Sequence, residues 1–205
     1  MQADFWNTRY AEKEFAYGEK PNTFFAEKLE TLSPATLLLP AEGEGRNAIF
    51  AAKLGWKVIA FDYSAEGKNK ALQLAEKEGV KIDYVVSSLE DVSFEESSFD
   101  VISLIFAHFS AAGRITQFQR MEQWLKPGGK VIIEVFSKNH LKYVNLNPKV
   151  GGPKEESMLF SKEELIESFP SVTWEYMNEE EVTLEEGVFH QGVGMVIRAV
   201  GVKND

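Results

Sequence analysis

The sequence predicts an α/β fold built on a doubly wound, seven-stranded mixed sheet, mostly parallel and with an antiparallel hairpin at its C-terminal edge. Two observations predict this class. Short apolar runs alternate with helix-forming segments through residue 137, which is the pattern of successive βαβ units. After residue 160 one short helix is followed by two long strand-like segments, which favours a hairpin. We expect a single domain over residues 1–205.

The N-terminal two thirds carry the clearest element signals. Residues 1–32 are expected to form a helical cap, in which Pro21 separates two segments and Asn22 caps a helix that continues through Leu32. Strands are expected at Thr36–Leu39, Lys57–Phe61, Ile82–Val86, Phe99–Phe106 and Lys130–Phe136. The intervening helices are expected at Ala48–Lys53, from Ser64 to near Gly79, and from Gly113 to Leu125, where Lys126-Pro-Gly-Gly129 stops the helix.

The C-terminal third is less regular. Residues 138–160 contain Gly151-Gly-Pro153 and are expected to form a long irregular connection, of the kind that often acts as a lid. Ser161 is placed to cap a helix over Lys162–Ser168. Two strands, Val172–Val182 and Gly192–Val200, should then form the hairpin. The chain is therefore expected to divide into a cap (1–32), a core (36–137), the connection (138–160) and a terminal unit (161–205).

Composition narrows the functional classes. The 205 residues include no cysteine and carry a net charge of −10, so thiolate chemistry is excluded and binding to phosphate backbones is disfavoured. No run of about 18 apolar residues is present, and the N-terminus lacks the pattern of a secretory signal. We expect a cytoplasmic protein that does not span or bind membranes or nucleic acid. The sequence leaves the oligomeric state open.

The stretch from Thr36 to Ala48 indicates a ligand. An apolar strand runs into an acidic turn with Gly43 and Gly45, a helix follows, and Asp62 closes the next strand. In a βαβ unit this order places backbone amides and a ribose-binding carboxylate around a nucleoside. The sequence therefore predicts an adenosine-containing cofactor.

A nicotinamide dinucleotide must be weighed, because Gly43-Glu-Gly45-Arg-Asn-Ala48 satisfies the loose pattern G-x-G-x-x-A. However, Glu42 and Glu44 would repel a pyrophosphate at this turn. No tyrosine is followed four residues later by lysine, as short-chain dehydrogenases require. A sulfonium cofactor without phosphates suits the acidic turn better, and S-adenosylmethionine is the expected cofactor.

Several motifs carry a family resemblance. They are Phe5-Trp-Asn-x-Arg9-Tyr10, Tyr17-Gly-x-x-Pro21-Asn22, Ala41-Glu-Gly-Glu-Gly-Arg-Asn47, Phe61-Asp62-x-Ser64, Ser98-Phe-Asp100-Val, Leu125-Lys-Pro-Gly-Gly129, Gly151-Gly-Pro-Lys154 and Glu186-Gly-x-x-His-Gln-Gly192. With these motifs the chain resembles class I S-adenosylmethionine-dependent methyltransferases, which have a Rossmann-like fold. The last two motifs resemble the bacterial branch related to tellurite-resistance and thiopurine methyltransferases.

The resemblance implies a role for each matching position. The turn Ala41, Glu42, Gly43, Glu44 and Gly45 would wrap the methionine moiety, with Arg46 and Asn47 beside its carboxylate. Asp62 would bind the ribose hydroxyls, with Tyr63 against the adenine and Ser64 in the same motif. Ser88 and the amide of Leu89 would meet the adenine edge, and Phe106 would flank the cofactor and open onto the acceptor pocket.

Three positions depart from the family pattern. Leu39 and Ala41 stand where the family has an acid and the first glycine of its turn, and Ser88 replaces an adenine-side Asp. Glu42 could supply the missing negative charge from another place on the turn. The departures either mark a subgroup or weaken cofactor binding.

The sequence gives fewer indications of the residues that bind the methyl acceptor. Trp6, Tyr17, His108, Tyr143 and His190 are candidates for the acceptor pocket, and His108 is the candidate general base. His140 is expected to be exposed to solvent, and no histidine pair has metal-site spacing, so no metal is expected.

The expected reaction is methyl transfer to a small molecule. The acceptor could be a soft nucleophile, such as a thiol or a tellurium or selenium oxyanion. Soft anions such as tellurite, selenite or an aromatic thiolate would need no base, whereas an acceptor that arrives protonated, such as a hydroxyl, thiol or amine, would need one. The alternative from another class is a protein that binds S-adenosylmethionine without turnover. An acceptor space filled by Phe106, His108 and Tyr143 would favour that alternative.

Overall fold

One seven-stranded sheet organises the molecule, with strands in the order β3-β2-β1-β4-β5-β7-β6. The computed structural model describes residues 2–109 and 111–205. The strands are β1 (Thr36–Pro40), β2 (Lys57–Asp62), β3 (Asp83–Val86), β4 (Phe99–Ile105), β5 (Leu125–Phe136), β6 (Val172–Glu186) and β7 (His190–Lys203). The α-helices are α1 (Gln2–Tyr10), α2 (Thr23–Leu29), α3 (Arg46–Lys53), α4 (Ala65–Glu78), α5 (Arg114–Trp124), α6 (Leu141–Leu146) and α7 (Lys162–Ser168).

The pairing of these strands confirms the expected fold class. Strands β1 to β5 pair in parallel, whereas β7 pairs antiparallel with both β5 and β6. The chain therefore makes a doubly wound sheet that ends in a hairpin. The order reverses between β1 and β4, and such a switch point leaves a crevice beyond the carboxyl ends of the strands.

Strand β1 shows how an apolar strand contributes to the hydrophobic clusters on both faces of the sheet. Leu38 packs on one face with a cluster that includes Ile102 and Phe118 of α5. Leu37 and Leu39 pack on the other face with residues of α2 and α3. Because successive side chains of a strand point to opposite faces, a strand covered on both sides is apolar throughout.

The sequence located the helix caps correctly. The Asn22 side chain accepts a hydrogen bond from the Phe25 amide at 2.9 Å, and Ser64 accepts one from the Gly67 amide at 3.0 Å. Ser161 and Glu164 form a capping box at the start of α7. Each side chain satisfies an amide that the first helical turn leaves without a partner.

Two boundaries differ from the prediction. Helix α5 ends at Trp124, and β5 begins at Leu125, so Lys126-Pro-Gly-Gly129 belongs to the strand. The register against β4 shifts there, which indicates a bulge that absorbs the proline and glycines. In the helical cap, α1 ends at Tyr10 and α2 spans only Thr23–Leu29, so the intervening residues are not helical.

The connection 138–160 is more structured than expected. It contains α6 and three short 3-10 turns, at Lys138–His140, Pro148–Val150 and Glu156–Met158. The prediction that His140 is exposed is wrong, because its side chain is buried. The His140 ring accepts a hydrogen bond from the Met195 amide through Nδ1 at 3.2 Å and contacts the Gly151 carbonyl oxygen through Nε2 at 2.9 Å. It thus ties the connection to β7.

Helix α1 lies over the carboxyl ends of the parallel strands. The Ser64 hydroxyl donates to the Asn7 side chain at 2.7 Å, which joins α1 to the start of α4. Within residues 2–109 and 111–205, no helix combines the length and apolar character that crossing a bilayer requires.

Candidate functional site

A cavity lies at the switch point of the sheet, where the carboxyl ends of β1, β2 and β4 meet. It encloses about 690 Å³, including its open mouth. It is lined by Trp6, Tyr10, Tyr17, Gly18, Ala41, Glu42, Glu44, Arg46, Asn47, Asp62, Tyr63, Ile105, Phe106, His108 and His190. Most of these residues carry a polar group, so the cavity is suited to an organic ligand with several hydrogen-bonding groups.

The turn between β1 and α3 forms one wall. Gly43 and Gly45 have φ angles of 61° and 88°, which favour glycine. A Cβ at Gly43 would lie 2.6 Å from the Tyr10 hydroxyl, and one at Gly45 would lie 2.6 Å from the Ala71 Cβ. The two glycines are therefore required because the turn is packed between α1 and α4.

Asp62 holds this turn from the end of β2. Its Oδ2 accepts a hydrogen bond from the Gly43 amide at 3.0 Å, and its Oδ1 accepts one from the Ser64 amide at 2.9 Å. Burial raises the pKa of Asp62 to about 6, although these two amides oppose the shift. Each carboxylate oxygen retains acceptor capacity for a ligand.

The two acidic residues of the turn have structural partners. Glu42 accepts a hydrogen bond from the Ala48 amide at 2.7 Å and so caps α3; burial raises its pKa to about 7. Glu44 accepts one from the Ala16 amide at 2.8 Å and pairs with Lys70 at 2.8 Å. Glu44 therefore binds the segment after α1 to the turn.

A network centred on Glu186 reaches the opposite wall. Its Oε2 accepts hydrogen bonds from Arg46 at 2.9 Å and contacts His190 Nδ1 at 3.0 Å, while its Oε1 accepts one from Asn22 at 3.1 Å. Burial opposes ionisation of Glu186, but the His190 and Arg46 contacts outweigh it and hold the pKa near 2. The sequence offered only the motif spacing as a signal for Glu186, and its role was missed.

The carboxylate fixes the state of the His190 ring. Since an ionised carboxylate only accepts hydrogen bonds, Nδ1 of His190 must carry a proton. In the neutral ring the Nε2 lone pair is then left for a ligand in the cavity. Burial lowers the pKa of His190, so the neutral form dominates at neutral pH.

Aromatic side chains frame the same wall. Tyr17 and Phe106 lie 4.5 Å and 4.6 Å, centroid to centroid, from the His190 ring. Phe106 has a φ of 48°, a left-handed conformation that is strained for a bulky residue. Strain of this kind is found at functional sites, where the surrounding structure holds it.

His108 follows β4 and lies beside Trp6, with ring centroids 5.6 Å apart. Burial lowers the pKa of His108 to about 3, which keeps the imidazole neutral. Its Nε2 is buried and has no hydrogen-bond partner among the described residues. A buried polar atom without a partner is costly, so a ligand is a natural partner for it.

Some of the remaining candidate residues lie away from the cavity. The Ser64 and Ser88 hydroxyls bond to Asn7 and Asp91, and Leu89 is in the core. Tyr143 bonds to Glu181 and stacks beside His140. None of these four lines the cavity, whereas Tyr10, Gly18 and Ile105, which the sequence did not single out, do.

Residues 40–129 match a family model described as a methyltransferase domain. This segment contains the glycine turn, Asp62 and His108. The segment is similar to methyltransferase domains, and S-adenosylmethionine is the cofactor that this similarity indicates. The curated relative UbiE of Geotalea daltonii, a ubiquinone/menaquinone biosynthesis C-methyltransferase, is 27% identical in an alignment that covers 77% of this chain and 71% of UbiE.

Solved structures agree with this chain in fold along its whole length. A structure from work on the conversion of a disulfide bond into a thioacetal group in echinomycin biosynthesis has a TM-score of 0.78 and 16% identity, with coverage of 100% of this chain and 92% of that one. TehB from Haemophilus influenzae has a TM-score of 0.72 and 18% identity, with coverage of 99% and 67%. At such identities the likeness shows the fold alone.

Proposed function

We propose that this chain is an enzyme that transfers the methyl group of S-adenosylmethionine to a small-molecule acceptor in the cavity at the switch point. The observation that carries the proposal is Asp62. Its carboxylate closes β2, lines the cavity and is bonded to the glycine turn. In parallel sheets a carboxylate in this place binds ribose hydroxyls.

The cavity fits this cofactor. Asp62 keeps acceptor capacity for the ribose, and Tyr63 lines the same side for the adenine. The methionine carboxylate would lie at the start of α3, beside Arg46, which uses one nitrogen for Glu186 and another for the Tyr17 carbonyl oxygen. Ser88 and Leu89 remain proposed contacts of the adenine edge.

In this reaction the protein's own residues would orient the reactants, exclude water and accept a proton. Bound S-adenosylmethionine supplies a methyl group already activated by its sulfonium. The aromatic wall of Tyr17 and Phe106 would exclude water from the reacting groups. His190, held by Glu186, would accept a proton from an acceptor that must lose one. His108, with its lowered pKa, would orient the acceptor through a hydrogen bond.

An acceptor that becomes nucleophilic on losing a proton is therefore the first candidate. A carbon acceptor of this kind agrees with the name of the relative UbiE, a C-methyltransferase. Soft anions that need no base, namely thiolates and tellurium or selenium oxyanions, are the second candidate. The observation that favours an anion is Arg9, whose guanidinium group donates to the Tyr17 hydroxyl at the cavity wall, at 2.8 Å.

The alternative function of this site is to bind S-adenosylmethionine without catalysing methyl transfer. Phe106 and His108 line the cavity, but Tyr143 lies outside it, so these three residues do not together fill an acceptor space. His108 also lines a second, open groove. An acceptor in this groove would lie beside the cofactor cavity, which supports catalysis.

Isothermal titration with S-adenosylmethionine and S-adenosylhomocysteine tests the proposal. Asp62→Asn keeps the shape of the side chain but removes its charge, and we expect at least about tenfold weaker binding, since hydrogen bonds to charged groups are worth about 1.5–3 kcal/mol. Asp83→Asn, an exposed position on the next strand, is the matched control and should bind as the wild type does. NAD should not bind.

Two results would contradict the proposal. One is wild-type protein that binds NAD but neither sulfur-containing ligand. The other is equal loss of affinity in the Asp62 and Asp83 variants, which would place the ligand elsewhere.

A further inference from the structure

We infer that the groove between α1 and residues 152–158 is the acceptor site, and that it takes a planar apolar ring bearing an acidic group. This inference rests on the proposed function and deepens it by naming the substrate class. We call this groove the α1 groove. It encloses about 1290 Å³, including open space, and is lined in part by Phe5, Trp6, Arg9, His108, Lys154 and Met158.

The α1 groove adjoins the cofactor cavity. Trp6 and His108 line both spaces, so one end of a molecule in the groove would lie next to the methyl donor. The junction is marked by the buried Nε2 of His108, which lacks a partner among the described residues. A ligand that crosses the junction would provide that partner.

The surface of the α1 groove is suited to a ring. Phe5 is 53% exposed and meets Trp6 edge to face, with centroids 5.1 Å apart. Pro153 and Met158 line the facing side. Aromatic side chains beside proline and a flexible thioether offer flat apolar contacts, which a planar ring would cover better than water.

The charge of the α1 groove opposes that of the chain. The chain carries −10, yet the groove has two cations, Arg9 and Lys154, against one carboxylate, Glu155. Arg9 lies over the rings of Phe5 and Phe189 at 4.6 Å and 4.4 Å. The Arg9 guanidinium also donates to the Tyr17 hydroxyl at 2.8 Å.

A cation beside an apolar surface attracts an amphipathic anion, because the ring covers the apolar surface while the acid meets the charge. A free small molecule is the fitting occupant, since the groove adjoins the cofactor cavity. If the groove instead prefers uncharged hydrophobic ligands, the test below will show no preference for the charged probe.

The test measures two isosteric probes on the full chain saturated with S-adenosylhomocysteine. The probes are 1-naphthoate and the uncharged 1-naphthamide, titrated calorimetrically. We expect naphthoate to bind about threefold more tightly, because an exposed ion pair contributes modestly in water. Lys154→Gln should abolish most of this preference, and Trp6→Leu should weaken both probes.

Lys149→Gln is the matched control, because Lys149 is exposed on the same connection and does not line the groove. It should keep the wild-type preference for naphthoate. Equal affinity for the two probes overturns the inference, and so does an equal effect of the two lysine variants. Protein that binds S-adenosylhomocysteine but not naphthoate keeps the proposed function and loses the inference. Failure to bind S-adenosylhomocysteine instead refutes the proposed function.

Discussion

Ala41 occupies a backbone conformation that favours glycine, with a φ of 53°. The family resemblance puts glycine at this position, so the departure noted in the sequence has a visible structural consequence. The left-handed conformation costs an L-residue about 1–2 kcal/mol. The turn nonetheless keeps the shape that places Asp62 and Gly43 in contact, which supports the interpretation of Ala41 as a subgroup feature.

Replacing Ala41 by glycine should therefore stabilise the protein. We expect Ala41→Gly to raise the free energy of unfolding by about 0.5–1 kcal/mol in urea denaturation, because the strain is removed at some entropic cost in the unfolded chain. The control is Ala52→Gly within α3, which should lower stability by about 1 kcal/mol. Losses of similar size in both variants would show that Ala41 is not strained.

His190 is the residue on which the chemistry of a protonated acceptor should depend. His190→Gln should lower kcat by about 10²-fold or more for acceptors that lose a proton, and should leave the dissociation constant of S-adenosylhomocysteine unchanged. Transfer to tellurite or selenite should be affected much less. A variant that loses both acceptor types equally would contradict a role as base.

The pH profile checks the same residue independently. Because burial lowers the pKa of His190, the base stays neutral below its ordinary pKa of about 6.5. The kcat for a protonated acceptor should therefore be flat from pH 8 to about 6.5 and fall at lower pH as the ring becomes charged. A fall that begins above pH 7 would exclude His190 as the base.

Among the elements, the segment after α1 is joined to the cofactor turn by Glu44. The Glu44 carboxylate bonds to the Ala16 amide and to Lys70, each at 2.8 Å. Tyr10 and Tyr17, on either side of this point, line the cavity. The segment is therefore part of the binding site, although it forms neither a helix nor a strand.

Removing this anchor should loosen the segment and weaken cofactor binding together. We expect Glu44→Ala to lower the free energy of unfolding by about 1–3 kcal/mol, because a buried amide loses its partner. Hydrogen exchange should become faster at residues 11–18. Glu14→Ala, which changes an exposed side chain on the same segment, is the control. Unchanged exchange in Glu44→Ala would show that Glu44 does not hold the segment.

At the scale of the whole molecule, local sequence patterns determine the strands and helices, whereas contacts between residues far apart in the chain determine the functional site. Apolar alternation and caps such as Ser64 predicted the strands and helices, because these depend on neighbours along the chain. The Asn22 contact with Glu186 joins residues 164 positions apart, and no local pattern specifies such a contact. The burial of His140 was missed for the same reason.

Several buried groups with shifted pKa values should shape stability as a function of pH. Burial raises the pKa of Glu42 and of Glu134 to about 7. Burial also lowers the pKa values of the three histidines. Below about pH 6.5 the folded state holds extra protons on the acids but lacks those on the histidines, and the two effects oppose each other.

Above pH 6.5 the two acids lose protons in the folded state, and this loss alone would lower the free energy of unfolding by about 1–2 kcal/mol between pH 6.5 and 8. The histidines of the unfolded chain, with an ordinary pKa of about 6.5, lose their remaining protons in the same range and offset about 1 kcal/mol of this fall. We expect a net drop of about 0.5 kcal/mol between pH 6.5 and 8. Urea denaturation across this range measures the drop.

A substitution at Glu134 tests the cause of this dependence of stability on pH. It is fully buried in β5 and paired with Arg198 at 3.0 Å, while its Oε1 has no hydrogen-bond partner among the described residues. Glu134→Gln keeps an acceptor for Arg198 but cannot titrate, so it should remove about 0.8 kcal/mol of the fall between pH 6.5 and 8 and thereby abolish the net drop. Glu185→Gln, at an exposed position of β6, should leave the wild-type slope. If the two variants share one slope, the acid that causes the decline is not Glu134, and the buried pair with Arg198 stays ionised throughout.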